Sequence, residues 1–145
     1  MCDYKKMLIA SSIGAVVFFA IHSISAMLTL DYYKDPAYSG LWSKLMMPAA
    51  GAPPMEFTLV SLAVAFVSMA LFSWGYEIVH KSIPFKGWKK GAYYGLFLFA
   101  VAGVPSFLMQ FMLFNIPAGL FPWWAVLDGL VGYLAAGKII WKVYG

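Results

Sequence analysis

Two ionisable residues stand alone in long apolar stretches of this chain, His22 between Ile21 and Ser23 and Asp128 between Leu127 and Gly129. An imidazole and a carboxylate brought together can relay a proton near neutral pH, or can hold a small cationic or polar molecule. Gln110, Ser106 and Glu56 are further polar groups near the ends of their own apolar runs, and with His22 and Asp128 they form the candidate ligand or proton site. Plainer readings stand beside this one. His22 and Asp128 would then be hydrogen-bonded contacts between helices, and Glu56, behind Pro53-Pro54, a first-turn carboxylate favoured by the helix dipole.

Other chemistries lack their residues. No HExxH, CxxC or paired-carboxylate spacing occurs, so no zinc or di-iron catalytic centre is expected. No GxSxG elbow or phosphate-binding glycine loop is present, and no catalytic residue is assigned. His80 lies about 20 Å in depth from His22 when each is placed along its own helix, too far for one heme to take both within a monomer. The nine Met residues are spread along the chain and read as flexible apolar filler, not a copper site. Cys2 is the only cysteine, which excludes an internal disulfide and leaves reversible acylation as its one modification of interest. No cofactor is required by any of these residues; a lipid or a quinone is the candidate small molecule.

The elements that position these groups follow from composition. With 63% hydrophobic and only 11% charged residues in 145, the chain is too poor in charge to cover a water-soluble globule. Four apolar runs are expected to cross a membrane as helices, at about 7–30, 56–79, 91–114 and 122–144, forming one domain over 1–145. The first exceeds a secretory signal's apolar core in length and is read as a span. Between the first two runs, Asp35-Pro36 has the form of an N-cap and first-turn proline, and Pro48 that of a stop. A short interfacial helix from Pro36 to Met47 is expected there, with Tyr38, Leu41, Trp42 and Leu45 on its apolar side.

All ten basic residues are lysines. Eight lie at the termini or in the connection carrying Lys81, Lys86, Lys89 and Lys90, against Lys34 and Lys44 on the other side. Positive-inside counting places both termini in the cytoplasm of a plasma (inner) membrane. Lysines at span ends are topology signals, not a nucleic-acid surface. Glu77 and Lys138, near the cytoplasmic ends, are expected to pair or to snorkel.

Counted inward from the outer boundary at 1.5 Å per residue, Gln110, Asp128 and His22 lie at depths of about 6, 9 and 12 Å. Glu56 opens the second span on the same side, so each of the four helices delivers a polar residue to the outer half. On its helix His22 shares a stripe with Ser11, Ala15, Ser25 and Thr29, and Asp128 one with Ala125, Gly132 and Ala135. Pro105 is expected to disturb the third span near Ala102 to Gly103. Gly91 with Gly95, Gly132 with Ala136 and Ser11 with Ala15 are small pairs suited to close helix contact.

The leading functional expectation is a non-enzymatic subunit or scaffold, packed as a homo-oligomer or in a larger membrane complex among membrane lipids. The alternative is a carrier or channel component for a proton or small polar or cationic solute, using the outer polar layer. A weaker third is a quinone- or heme-binding redox subunit.

Overall fold

The computed structural model describes residues 3–47 and 53–145. Cys2 and Pro48 lie outside the described residues. Four helices are long and apolar enough to cross a membrane: Tyr4–Leu28, Met55–Ser82, Trp88–Leu113 and Phe121–Tyr144. Their 24 to 28 residues reach about 36 to 42 Å at 1.5 Å each, more than the roughly 30 Å of bilayer hydrocarbon. The chain is therefore an all-helical membrane protein, and among the described residues there is no strand.

Local signals account for the helix ends. The first span starts at Tyr4 because the Asp3 side chain accepts from the Lys6 N–H at 3.1 Å. The second opens directly after Pro54 and tightens into a 3-10 turn over His80–Ser82. Glu77 accepts from the Asp3 backbone N–H at 2.7 Å, and the Lys138 ammonium lies 5.5 Å from the centre of the Trp88 ring.

Between the first two spans, the helix expected over Pro36 to Met47 is shorter and tighter than its sequence pattern suggests. Asp35 caps it through the Ala37 N–H at 2.9 Å, but a 3-10 helix ends at Leu41 and Trp42 is extended. Aromatic packing holds that extension: the Trp42 ring stacks on Tyr33 at 4.5 Å and meets Trp124 edge-on at 6.1 Å.

The third and fourth spans touch backbone to backbone. A Cβ on Gly137 would enter the Gly91 carbonyl and the Gly95 backbone, and one on Gly95 would enter the Tyr133 carbonyl. The first span packs on the second and the fourth, with Gly14 giving room to the fully buried Met69. Core residues Ala10, Met69, Tyr76, Tyr94, Ala136 and Ile140 all belong to the half of the bundle that carries the termini. There the Tyr94 hydroxyl donates to the Phe72 carbonyl at 2.6 Å, tying the third span to the second.

Toward the opposite face the packing loosens around the third span. The far half of the third span, Val104–Leu113, buries no residue. Just before it the helix widens over Phe99–Gly103, where the Val104 N–H reaches back five residues to the Phe99 carbonyl. Pro105 follows immediately and can supply no N–H of its own, so the wider turn stands where the sequence predicts a disturbance.

Replacing Gly137 with leucine inserts side-chain volume between two backbones. The expected loss is at least about 2 kcal/mol, read as a lower unfolding midpoint in detergent, whereas Gly40→Ala, at a position with open space around it, leaves the midpoint unchanged.

Candidate functional site

The polar stripe of the first span turns inward, and Ser11, Ala15, Ser25 and Thr29 are all buried. Ser11 and Thr29 return their hydroxyls to carbonyls of their own helix, each at 2.7 Å. The His22 imidazole does not do the same. His22 instead reaches across to the fourth span, where its Nδ1 lies 3.4 Å from Asp128 Oδ2. In the pairing in which carboxylate accepts, Nδ1 carries the proton.

Asp128 is aimed at the first span by an unusual piece of helix. From Trp124 to Val131 the fourth span is wound as a π-helix, with the Gly132 N–H bonding five residues back to the Leu127 carbonyl. The wider turn advances side chains by less than 100° per residue, so neighbours on a stripe are no longer those of an α-helix. Gly129 faces Phe107 and Phe99 of the third span while Gly132 faces Phe18 of the first. Asp128 projects between these two contacts and becomes the charged group of an interior space.

The carboxylate is incompletely matched. The contact to His22 is long for a charge-assisted hydrogen bond, and Asp128 Oδ1 is buried with no hydrogen-bond partner among the described residues. The two side chains are also unequal in exposure, 40% for His22 and 19% for Asp128, so the imidazole faces open space and the carboxylate lies behind it. Removing a carboxylate oxygen from water with nothing to replace its shell costs about 1 to 3 kcal/mol or more. Such a group signals a site built for a ligand or a proton more than for stability.

Two cavities have this pair in their walls. One, of about 430 Å³, lies under the first connection, with Tyr33, Trp42 and Trp124 in its walls. The other, of about 570 Å³, runs along the first and second spans past Phe19, Val60, Val64 and Phe72. His22, Phe57, Gln110 and Asp128 line both. Tyr133, packed against Phe18, Phe72 and Phe99 at centroid distances of 5.6 to 6.3 Å, closes the second cavity toward the core.

The five candidate residues are thus divided. His22, Asp128 and Gln110 come together around one space. Ser106 stands beside it and accepts from Gln110 Nε2 at 3.2 Å, fixing the amide from its own helix. Glu56 is exposed in the first turn of the second span and does not line either cavity, whereas its neighbour Phe57 lines both.

Tyr33, Trp42 and Phe57 were not legible as site residues. Tyr33 and Trp42 meet only because the connection doubles back, which leaves no periodic trace. Burial pushes the Tyr33 phenol above its usual range, with the nearby Asp128 charge adding to the effect and hydrogen bonds to Trp124 and Thr29 opposing it. The phenol therefore remains a neutral hydroxyl throughout the physiological range.

Among the described residues no group of three or more His, Cys, Asp or Glu side chains is placed to hold a metal ion. No protein-family model, curated protein or solved structure matches the chain. Function is accordingly read from the chemistry of the site itself.

If Asp128 serves a ligand and not the bundle, Asp128→Leu leaves the unfolding midpoint in detergent unchanged or higher. A fall comparable to that of a core truncation such as Ile140→Ala, about 2 to 5 kcal/mol, would instead make the carboxylate a structural contact.

Proposed function

We propose that this protein is a non-enzymatic carrier component that binds a small organic cation in the half of the membrane opposite the chain termini. Binding is coupled to the protonation of His22. One observation carries the reading: among the described residues, the only formal charge in the walls of the two cavities is the carboxylate of Asp128, incompletely matched by a long contact to His22. Aromatic faces from Tyr33, Trp42 and Trp124 complete a surroundings that favours a cation.

The coupling follows from charge. With a neutral imidazole the pair bears one negative charge and attracts a cation; with an imidazolium it bears none. Cation binding then expels a proton, and affinity rises as pH climbs through the titration of His22. The groups facing His22 are Asp128, Gln110 and Tyr33, with Lys34 across a third cavity at the first connection. Lys34 adds a more distant positive charge that weakens the attraction of a cation.

The expectation of a packing subunit drew on small-residue faces, and these are largely used within the chain. Gly91, Gly95 and Gly137 join the third and fourth spans, and Gly132 receives Phe18. An orientation with cytoplasmic termini, from the eight-to-two lysine asymmetry, places the cavities in the outer half of a plasma membrane.

In proteoliposomes containing a pH-sensitive dye, an imposed gradient of octyltrimethylammonium should drive proton counterflow. Asp128→Asn abolishes it, and His22→Gln retains cation binding but removes the pH dependence. Equal proton flux in wild type and folded Asp128→Asn defeats the proposal. For orientation, a cysteine at Ser39 in a Cys2→Ser background should react with an impermeant reagent added outside intact cells, and protection from it would reverse the assignment.

A further inference from the structure

Two cavities sharing one charged wall differ in what their far ends offer. The smaller ends beneath the aromatic cover of Tyr33 and Trp42. The larger runs from His22 and Asp128 along an apolar track formed by Phe18, Phe19, Val60, Val64 and Phe72. That track is not sealed from the surroundings: Val60 is 44% and Val64 60% exposed on the second span, and the facing half of the third span buries nothing. The second and third spans are tied by Tyr94 and Phe72, both nearer the termini than the track's polar end. A gap consequently opens sideways, toward lipid, at the level of the carboxylate.

A water-soluble cation needs no apolar track, and a purely apolar molecule needs no carboxylate. On the reading that Asp128 holds a cation, we infer that the ligand is a membrane-borne amphiphile with a quaternary or protonated amine head. It enters from the lipid between the second and third spans. Its head lies between Asp128, His22 and Gln110, while its tail follows Val64 and Phe72 toward Tyr133. Charge complementarity selects the head, since among the described residues neither cavity has a lysine or a second carboxylate in its walls. The opening to lipid selects the tail, because an alkyl chain is concentrated in the bilayer beside the gap at no further expense.

The test uses the full chain in phosphatidylcholine nanodiscs with dodecyl(3-bromopropyl)dimethylammonium as the probe, whose bromine, carried on the ammonium head, quenches Trp42 and Trp124 beside His22 and Asp128 on contact. Wild type should show saturable quenching above the partition background measured with Asp128→Asn. Dodecyltrimethylammonium should displace the probe at about 100-fold lower total concentration than tetramethylammonium, through enrichment in lipid. Dodecanol should not displace it. Ala65→Phe, which fills the apolar track from the second span, should weaken binding about tenfold, with Ser61→Phe as a second obstruction should the first variant fail to fold.

Three outcomes overturn the inference. Equal displacement by the short and long ammonium ions, with both obstructing variants silent, would mean entry of a soluble cation from the aqueous side; the carrier reading would survive. Displacement by dodecanol as effective as by the ammonium would mean that the head is not recognised by charge. Identical saturable quenching in wild type and Asp128→Asn would remove the carboxylate from binding and defeat both readings together.

Discussion

Helices immersed in lipid gain little from hiding apolar surface, so what holds them is close packing of backbones and a few internal polar contacts. In this protein the closest packing is between Gly91 and Gly95 on the third span and Gly137 and the Tyr133 carbonyl on the fourth. It is confined to the half that carries the termini. Tyr76, Tyr94 and Tyr144 fill the same half with edge-on ring contacts. Anchored at one end in this way, the four helices are packed less fully at the other, where the third span has no buried residue between Val104 and Leu113 and meets the fourth through the rings of Phe107 and Phe111.

An opening in that half is what makes a buried carboxylate tolerable. Asp128 in a closed apolar contact would need a full set of donors, and it has only a long approach from His22. Placed instead in the walls of two cavities, it keeps the imidazole half-exposed beside it and a neutral Tyr33 phenol near the cover. The π-wound segment from Trp124 to Val131 belongs to the same arrangement. Wide turns are less favourable than α-helix and are found mostly where a side chain has to be re-aimed. Here the re-aimed side chain is, among the described residues, the formally charged one in the walls of the two cavities.

Much of this was legible in the chain itself. The spans appear within a few residues of their sequence-based limits because length and apolarity alone select segments that can cross lipid. Asp35-Pro36 caps a helix as its residue types require. The stripe of Ser11, Ala15, Ser25 and Thr29 is buried because an α-helix keeps those positions on one face. His22 and Asp128 were matched by depth, and depth along a straight helix is simple arithmetic. The aromatic cover was harder to read. Tyr33 and Trp42 are joined by a chain that turns twice, at Asp35 and after Leu41, and stacking between them answers to no period.

The linear order of residues determined by itself that four helices lie in a membrane, which positions on each are small, and at what level the ionisable groups are carried. These depend only on local geometry and transfer energy, both of which are properties of one helix at a time. Tertiary structure alone decided that small residues would be spent within the bundle, that Glu56 would point away while Phe57 lined the cavities, and that a wide turn would re-aim Asp128. Each of those depends on the rotation of one helix against another, which is settled by contacts between residues far apart in the chain.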